Sequence, residues 1–219
     1  MSGAWVAALV GGAYLLGSVP FGLLIGLARG TDIRKAGSGN IGATNVGRVL
    51  GRPWGVLAFI LDMAKGLVPM LVAGAMLSGF SDAHLGVAEY AVWVGVGAAA
   101  ILGHVFPVFL KLRGGKGVAT AFGVVAGLYP YFTWPAIVAG AVWLAVVRTT
   151  GYVSLASLTA AALFPVCYWL AGLALGWPLG RQWPLSLIGC AITGLVVIRH
   201  RANMRRLLAG TEPRRRPSA

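Results

Sequence analysis

Residues 87–117 read VAEYAVWVGVGAAAILGHVFPVFLKLRGGKG. The part over 87–110 is an apolar run, and a helix needs about 20 such residues to cross the hydrocarbon core of a bilayer. Lys111, Arg113 and Lys116 follow that run at once. Because Lys and Arg crowd the cytoplasmic loops of membrane proteins, the stretch predicts a membrane helix that ends in a basic cytoplasmic loop.

The composition of the whole chain agrees with that prediction. Its 219 residues are 58% hydrophobic and only 11% charged, and 33 of them are glycine, which is typical of a bilayer protein. The net charge of +13 does not indicate a nucleic-acid-binding domain, because the basic residues lie in short loops between apolar runs. GxxxG spacings at Gly22 and Gly26, and at Gly123 and Gly127, would let helices approach closely.

Other apolar runs are also long enough to cross a bilayer. Residues 118–147 are too long for one span and contain Pro130 and Pro135 among aromatic residues typical of a membrane interface, so we expect two short helices there. The first run has no basic residue before it and is too long for a signal peptide, so we expect it to remain as a helix. The runs are 4–27, 54–80, 153–177 and 183–198, and the interfacial aromatic residues are Tyr129, Tyr131, Phe132 and Trp134.

The distribution of basic residues predicts the orientation. Of the 18 Lys and Arg residues, all but Lys65 and Arg181 fall on every second loop, which the positive-inside rule assigns to the cytoplasm. The predicted fold is all-α, a polytopic integral membrane protein with seven transmembrane helices, the N-terminus outside and the C-terminus cytoplasmic. We expect a single membrane domain over residues 1–210, followed over 211–219 by a disordered basic tail that contacts anionic lipid and carries no chemistry.

Acidic residues and cysteines are few. The five acidic residues are too scattered to hold the ions of two-metal chemistry, so we expect no metal and no cofactor. Asp62 and Lys65 are spaced for one face of the second span, where a bare charge costs about 2.5–3.5 kcal/mol, so we expect them to form an ion pair. Cys167 and Cys190 stand alone in apolar segments, and we interpret both as packing residues.

The first predicted cytoplasmic loop contains GSGNIGATNVGR over residues 37–48. Glycines let successive backbone N–H groups turn toward one point, and hydroxyl and amide side chains add neutral donors, which suits a phosphate or a developing oxyanion. The glycines also fit the dinucleotide motif GxGxxG, but that motif follows a strand and this one follows a charged loop. A plain flexible loop is the alternative. The candidate residues are Gly37, Ser38, Gly39, Asn40, Gly42, Thr44, Asn45 and Arg48.

The second loop has a Gly-Gly-Lys-Gly core. A Walker A motif needs another glycine where this chain has Leu110, so nucleotide hydrolysis is not indicated. Lys116 lies just before the next predicted helix, where backbone donors and the positive end of the helix favour phosphate. A positive-inside anchor is the alternative reading of Lys116, and His104, at the inner end of the preceding span, is as well explained by packing as by reactivity. The candidate residues of this core are Gly114, Gly115, Lys116 and Gly117.

Two later segments add polar candidates. Tyr152, Ser154 and Ser157 open the sixth span. His200 and Asn203 are three residues apart and so share a helical face, where an imidazole and a carboxamide can orient a polyol. A basic anchor next to the membrane is the alternative for this last segment.

Four ordered motifs together resemble the bacterial acyl-phosphate:glycerol-3-phosphate acyltransferases, the PlsY family. They are GSGNIGATNVGR from residue 37, GHVFPVFLKLRGGKGVAT from 103, YVSLAS from 152 and RHRANMRRL from 199, so the resemblance spans nearly the whole chain. It implies a seven-helix membrane enzyme that uses acyl phosphate as donor and glycerol 3-phosphate as acceptor. The implied product is lysophosphatidic acid, made without a metal or a thioester donor at the cytoplasmic side of the bacterial inner membrane, in the first step of phospholipid synthesis. We expect a monomer that is coupled functionally to the enzyme that forms acyl phosphate.

The resemblance also implies roles for individual residues. Ser38 and its Gly and Asn neighbours would bind the head of the acyl phosphate. The groups that would hold and orient glycerol 3-phosphate are Arg48, Lys116, Ser154, His200 and Asn203.

An acyl phosphate is already activated, so we expect positioning to supply much of the catalysis, up to about 7–11 kcal/mol in favourable cases. The proton of the attacking hydroxyl would pass to the donor's phosphate, with His200 as a rival general base. The His-Asp pair of other glycerol-phosphate acyltransferases is absent, since Phe109 stands five residues after His104. An anion or organophosphate transporter is the alternative function, although transporters place polar sites near the midplane. A lipid-headgroup phosphotransferase would need clustered aspartates, which the sequence lacks.

Overall fold

The computed structural model describes residues 2–78 and 85–214. Within them the chain forms ten α-helices, two short 3-10 turns at Ile33–Lys35 and Val108–Leu110, and no strand, in agreement with the predicted all-α class. The chain divides into two compact units, one up to Leu128 with α1–α6 and one from Tyr129 onward with α7–α10. The helices are α1 (Gly3–Ser18), α2 (Phe21–Ala28), α3 (Ala43–Leu50), α4 (Arg52–Ser78), α5 (Val87–Val105), α6 (Val118–Gly127), α7 (Thr133–Thr150), α8 (Val153–Leu175), α9 (Trp183–Arg199) and α10 (Arg201–Leu208).

Within residues 2–78 and 85–214, five helical stretches are long and apolar enough to cross a membrane, and α9 with α10, bent by 58°, would make a sixth. The two helices predicted between residues 118 and 147 are present as α6 and α7. However, α6 has only 10 residues, or about 15 Å at 1.5 Å per residue, half the thickness of a hydrocarbon core. The count of seven spans, the orientation and the single domain over 1–210 therefore stay predictions. The end of the predicted span 54–80 and residues 215–219 of the predicted tail lie outside the described residues.

The first apolar run is broken, where a continuous helix over 4–27 was predicted. Helix α1 ends at Ser18 and α2 begins at Phe21, because Pro20 has no N–H and disfavours a helical conformation in the residue before it. The Lys65 ammonium on α4 donates to the Val19 carbonyl at this break (2.8 Å) and lies 2.9 Å from Asp62 Oδ1. The predicted Asp62–Lys65 ion pair is thus confirmed, and it also joins α4 to the break.

Glycines let the helices of the first unit touch backbone to backbone. A Cβ on Gly66 of α4 would overlap the Thr120 carbonyl oxygen of α6, and a Cβ on Gly123 of α6 would overlap the Met63 carbonyl oxygen of α4. The predicted close approach is therefore confirmed for Gly123. At Gly22 the nearest group is the loop carbonyl of Ile41, and the Val46 side chain of α3 comes next, so the helix contact there is to a side chain and not to a backbone. Helices α1 and α5 approach each other in the same way: Gly17 of α1 lies against the backbone of Ala100 of α5, and Gly103 of α5 lies against the backbone of Tyr14 of α1.

The second unit has an aromatic core. Phe132 is fully buried and meets Phe164 and Tyr168 edge to face, with ring centroids 4.9 and 5.2 Å apart. Tyr131 packs in the same way on Trp177 at 5.4 Å. Phe132 and Tyr131 were expected in an interfacial belt, but both are buried, with their rings packed against aromatic rings of the same unit. Tyr129 and Trp134 are exposed, as the belt requires, and Pro135, expected in the turn, lies in the first turn of α7.

Side-chain hydrogen bonds also join the three long helices of the second unit. Trp143 Nε1 of α7 donates to Ser157 Oγ of α8 (3.2 Å), and Thr193 Oγ1 of α9 donates to the Ala161 carbonyl of α8 (2.6 Å). Cys190 is exposed on α9, which corrects its interpretation as a packing residue. Cys167 is half-buried.

Candidate active site

The Gly-Ser-Asn segment of the first unit is only partly a loop. After the 3-10 turn at Ile33–Lys35 the chain makes a tight turn and enters α3 at Ala43. Thr44, Asn45 and Arg48 therefore lie on a helix, where the sequence analysis expected a loop. Arg48 falls in the last turn of α3, where a cation interacts favourably with the helix dipole. Ser38 and Arg48 are both exposed to solvent.

Asn45 folds the turn onto α3. Its Nδ2 donates to the carbonyls of Ile33 (3.0 Å) and Ala36 (3.1 Å), and its Oδ1 accepts from the Ser38 N–H (2.8 Å). The side chain is 2% exposed, so these bonds are shielded from water. A Cβ on Gly37 would overlap the Asn45 side chain, and the φ of Gly37 is +60°, so this position requires glycine for both space and conformation.

The bonding of this turn differs from the predicted anion nest. The N–H of Ser38 is used by Asn45, that of Gly39 donates to the Ala36 carbonyl (3.0 Å), and that of Gly42 donates to Asn40 Oδ1 (2.9 Å). Three of the backbone donors assigned to a substrate therefore hold the turn in shape instead. The groups better placed to receive an anion are the Ser38 hydroxyl, the Arg48 guanidinium and the first N–H groups of α3, which a helix leaves without an internal partner.

A salt bridge fixes the chain just before this turn. Asp32 accepts from the Arg34 N–H (3.0 Å) and from the Arg34 guanidinium through both carboxylate oxygens (2.9 and 2.8 Å). Hydrogen bonds from Arg34 lower the pKa of Asp32 to about 2. Since Arg34 is engaged in this way, Arg48 on α3 is better placed than Arg34 to bind a substrate phosphate.

The Gly-Gly-Lys-Gly loop rests on the end of α5. The N–H of Gly114 donates to the Val105 carbonyl and that of Gly115 to the His104 carbonyl, both at 3.1 Å. A Cβ on either glycine would overlap His104. Gly117, with φ +83°, caps α6, so half-buried Lys116 stands next to the start of a helix, as the sequence predicts.

In the second unit a carboxylate that the sequence analysis did not select joins two predicted residues. Glu212 Oε1 accepts from Ser154 Oγ and from Asn203 Nδ2, both at 2.6 Å, and Oε2 accepts from Arg206 Nε at 2.7 Å. Burial acts to raise the pKa of the Glu212 carboxyl, but these three hydrogen bonds outweigh it and the pKa lies below its ordinary value. Glu212 is 8% exposed, so the tail expected to be disordered is anchored here. One feature of the sequence could have singled out Glu212: it is the first acidic residue after Glu89, and the 122 residues between them contain no Asp or Glu.

His200 lies at the 58° bend between α9 and α10. Its Nδ1 is 2.8 Å from the Val196 carbonyl oxygen, which can only accept, so Nδ1 carries a hydrogen. The side chain is 3% exposed. His200 and Asn203 are both buried, as the predicted shared face requires, although the helix bends at His200.

By position in the fold the predicted site residues fall into three groups: the turn and α3 (Ser38, Asn45, Arg48), the Gly-Gly-Lys-Gly loop, and the second-unit residues Ser154, His200 and Asn203, of which Glu212 joins Ser154 and Asn203. Their convergence on one pair of substrates stays a prediction. In the parts of the chain that the structure describes, no group of three or more His, Cys, Asp or Glu side chains is placed to hold a metal ion.

Known proteins resemble this chain over nearly its full length. The sequence model of the family described as glycerol-3-phosphate acyltransferase matches residues 7–210. A glycerol-3-phosphate acyltransferase of Geotalea daltonii is 47% identical over 205 residues, which are 93% of this chain and 94% of that protein. One of Geobacter sulfurreducens is 46% identical over 205 residues, which are 92% of this chain and 93% of that protein.

Solved structures agree with the sequence relatives. A crystal structure of PlsY, an integral membrane glycerol 3-phosphate acyltransferase, in its glycerol 3-phosphate form superposes with a TM-score of 0.80 at 41% identity, covering 96% of this chain and 95% of that one. Its lysophosphatidic acid form gives a TM-score of 0.81 at 40% identity with the same coverage. This chain therefore belongs to the glycerol-3-phosphate acyltransferase family.

Proposed function

We propose that this chain transfers a fatty acyl group from acyl phosphate to the 1-hydroxyl of glycerol 3-phosphate. The hydroxyl oxygen forms a bond to the acyl carbonyl carbon, the bond from that carbon to the phosphate oxygen breaks, and inorganic phosphate leaves. The products are lysophosphatidic acid and phosphate. This is the first step of bacterial phospholipid synthesis.

The observation that carries the proposal is the full-length likeness to a membrane acyltransferase solved with glycerol 3-phosphate and with lysophosphatidic acid. Those two molecules are the acceptor and the product of the proposed reaction. The identity of this chain to that protein extends over both units, so the likeness covers all three groups of candidate residues.

The cationic and the neutral candidate residues have different proposed roles. Two substrate phosphates repel each other, and Arg48 and Lys116 supply the cations that offset this repulsion. The Ser38 hydroxyl and the start of α3 stabilise the charge that develops on the acyl carbonyl oxygen. Ser154, Asn203 and His200 orient the glycerol. Glu212 belongs to this last group as the acceptor that fixes the rotamers of Ser154 and Asn203.

The proton of the attacking hydroxyl passes to the phosphate of the donor, with His200 as the rival acceptor. The Nδ1 hydrogen bond to the Val196 carbonyl fixes the orientation of the His200 ring, which serves both roles. His200→Gln separates these roles. General-base catalysis contributes roughly 10²–10⁴ in rate, so a loss of kcat of that size with unchanged KM would favour His200, whereas a raised KM with little change in kcat would favour the phosphate.

We also propose that the enzyme is a monomer with seven spans in the bacterial inner membrane, coupled to the enzyme that makes acyl phosphate. The N-terminus is outside and the C-terminus and active site are cytoplasmic. The concentration of basic residues on alternate loops supports this orientation.

Purified protein with labelled glycerol 3-phosphate tests the function directly. Each reaction receives one donor: acyl phosphate, acyl-CoA or acyl-acyl carrier protein. Lysophosphatidic acid formed only with acyl phosphate, before and after treatment with a metal chelator, is the expected result. Product from a thioester donor, or none from acyl phosphate, would contradict it. Uptake of labelled glycerol 3-phosphate into proteoliposomes without any acyl donor would favour the transporter alternative.

A further inference from the structure

A buried polar chain leads from the middle of the first unit to the Gly-Gly-Lys-Gly loop. Asp62 Oδ1 lies 2.9 Å from Lys65 Nζ on the same helix and 3.6 Å from His104 Nδ1 on α5. The three side chains are at most 3% exposed. Burying polar side chains this deeply costs free energy unless they are paired. The presence of three such side chains at one place therefore indicates a specific role.

The Lys65 end of this chain is fixed. Lys65 Nζ donates to the Val19 carbonyl at the break between α1 and α2 (2.8 Å) and lies 5.7 Å from the centroid of the Phe21 ring. Lys65 therefore balances the charge of Asp62 and holds its carboxylate in place. Asp62 is therefore flanked by Lys65 on its own helix and by His104 on α5.

The other end of the chain contacts the loop. The Nε2 edge of the His104 ring lies against Gly115, where a Cβ would overlap it. The His104 carbonyl accepts from the Gly115 N–H (3.1 Å), and the next carbonyl, of Val105, accepts from the Gly114 N–H (3.1 Å). Both backbone and ring of His104 therefore touch the residues just before Lys116.

Gly115 is required here for space and not for backbone conformation. Its φ is outside the positive range in which Gly37, Gly39 and Gly117 lie, so an alanine could adopt the same backbone. What excludes a side chain is the imidazole. The ring and the loop are therefore fitted to each other.

We propose that His104 is a positioning residue: its ring lies between Asp62 and Gly115, supports the Gly114–Gly115–Lys116 backbone, and so places Lys116 for the phosphate of glycerol 3-phosphate. This inference rests on the proposed function of the loop. It assigns no proton transfer to His104, whose ring acts through Gly115 and not on the substrate. The Asp62–Lys65 ion pair would then contribute to substrate binding through His104, in addition to neutralising the two buried charges.

His104→Ala removes the ring and leaves the loop without support. The expected result is a KM for glycerol 3-phosphate raised about tenfold, which corresponds to ~1.4 kcal/mol, with kcat changed by less than about threefold. His104→Asn is the second variant, since it keeps a polar group facing Asp62, protects the fold and still removes the ring edge at Gly115. Trp93→Phe is the matched control on α5: it removes a buried hydrogen bond to the Met70 carbonyl (2.9 Å), and we expect it to lower the melting temperature without changing KM.

A double-mutant cycle tests whether His104 acts through Gly115. Gly115→Ala alone places a methyl group against the imidazole, so KM should rise about tenfold or more. In His104→Ala with Gly115→Ala the methyl group has room, and KM should be no higher than in either single variant. Effects that multiply, or an unchanged KM in both His104 variants while wild-type protein is active, would overturn the positioning role. Wild-type protein without acyl transfer from acyl phosphate would instead overturn the proposed function itself.

Discussion

Asn45 is a single side chain that determines the shape of the turn before α3. It donates twice to carbonyls and accepts once from the Ser38 N–H. Asn45→Asp keeps the size and the acceptor but turns a carboxylate oxygen toward the Ile33 and Ala36 carbonyls. Each lost buried hydrogen bond costs about 1 kcal/mol, so we expect kcat/KM to fall at least about tenfold in the acyl-phosphate assay.

Lys35→Gln is the control for Asn45. Lys35 is exposed in the same segment and belongs to none of the candidate groups, so its replacement should leave kcat/KM within about twofold, the size of ordinary surface effects. Equal activity of Asn45→Asp and wild type would show that the turn does not need this hydrogen bonding.

Glu212 makes a pH-dependent contribution to stability. Its pKa is lowered in the folded protein, so its stabilising effect is complete above the ordinary Glu value of about 4.3 and is lost as pH falls below that value toward the folded pKa. Glu212→Gln removes the charge. We expect a lower melting temperature than wild type at pH 7, and a difference that shrinks as the pH falls below about 4.5.

Thermal unfolding in detergent across this pH range measures the effect, with Thr211→Ala as control because Thr211 is exposed. The Thr211 variant should follow wild type at every pH. A difference between Glu212→Gln and wild type that stays constant down to pH 3 would contradict a role for the carboxylate charge.

At the scale of elements, α4 and α6 depend on glycine for their contact. Gly66→Ala places a methyl group against the Thr120 carbonyl, and α4 and α6 must then move apart. Overpacking of this kind costs about 1–3 kcal/mol, so we expect a clearly lower melting temperature. Because only Gly117 separates Lys116 from α6, activity should fall as well.

Gly95→Ala is the matched control for Gly66. Gly95 is also within a helix of the first unit, but a Cβ there meets nothing within 4 Å, and alanine is about 1 kcal/mol better than glycine in a helix. The control should be as stable as wild type or slightly more so. If both variants behave alike, close approach of the backbones is not what selects glycine at position 66.

The positions of helices were predictable from the sequence where the length of an apolar run determines them. A break in a helix was not predictable where a distant residue supplies the hydrogen-bond partner that the break requires. The cores of α4, α5, α8 and α9 follow from apolar runs of the required length. The break at Val19 was missed although Pro20 is a local signal for it, because the partner of the freed Val19 carbonyl, Lys65, lies 46 positions away. Helix α3 was also missed, since Asn45 stabilises its first turn by bonds to Ile33 and Ala36 that no local pattern announces.

The candidate site shows the same division. Motif chemistry located Ser38, Arg48, Lys116 and Ser154 in segments that the structure builds with defined hydrogen bonds. It assigned the backbone N–H groups of Ser38, Gly39 and Gly42 to substrate, whereas the fold uses them internally. Which backbone N–H groups of a turn form hydrogen bonds within the turn depends on its conformation. A glycine-rich sequence permits many conformations, so the sequence does not show which groups these are.

At the scale of the whole molecule, charge and helix length give different numbers of spans. The basic residues alternate as seven spans require, yet α6 is about 15 Å long, too short to cross alone. Helix α7, with 18 residues, is about 27 Å long. The proposed seven-span topology requires α6 and α7 to cross separately, so it predicts that the connection at residues 128–132 is accessible from outside.

Cysteine labelling tests this arrangement. In a variant without Cys167 and Cys190, Tyr129→Cys marks the connection and Leu208→Cys marks the end of α10; both positions are exposed, at 57% and 91%. A membrane-impermeant maleimide added to intact cells should label position 129, and it should label position 208 only after the membrane is opened. Three spans separate positions 129 and 208 in the seven-span topology, so the two positions must lie on opposite sides of the membrane. Labelling of position 208 from outside would therefore show that the orientation is the reverse of the proposed one. Protection of 129 on both sides would instead show that α6 and α7 meet inside the bilayer.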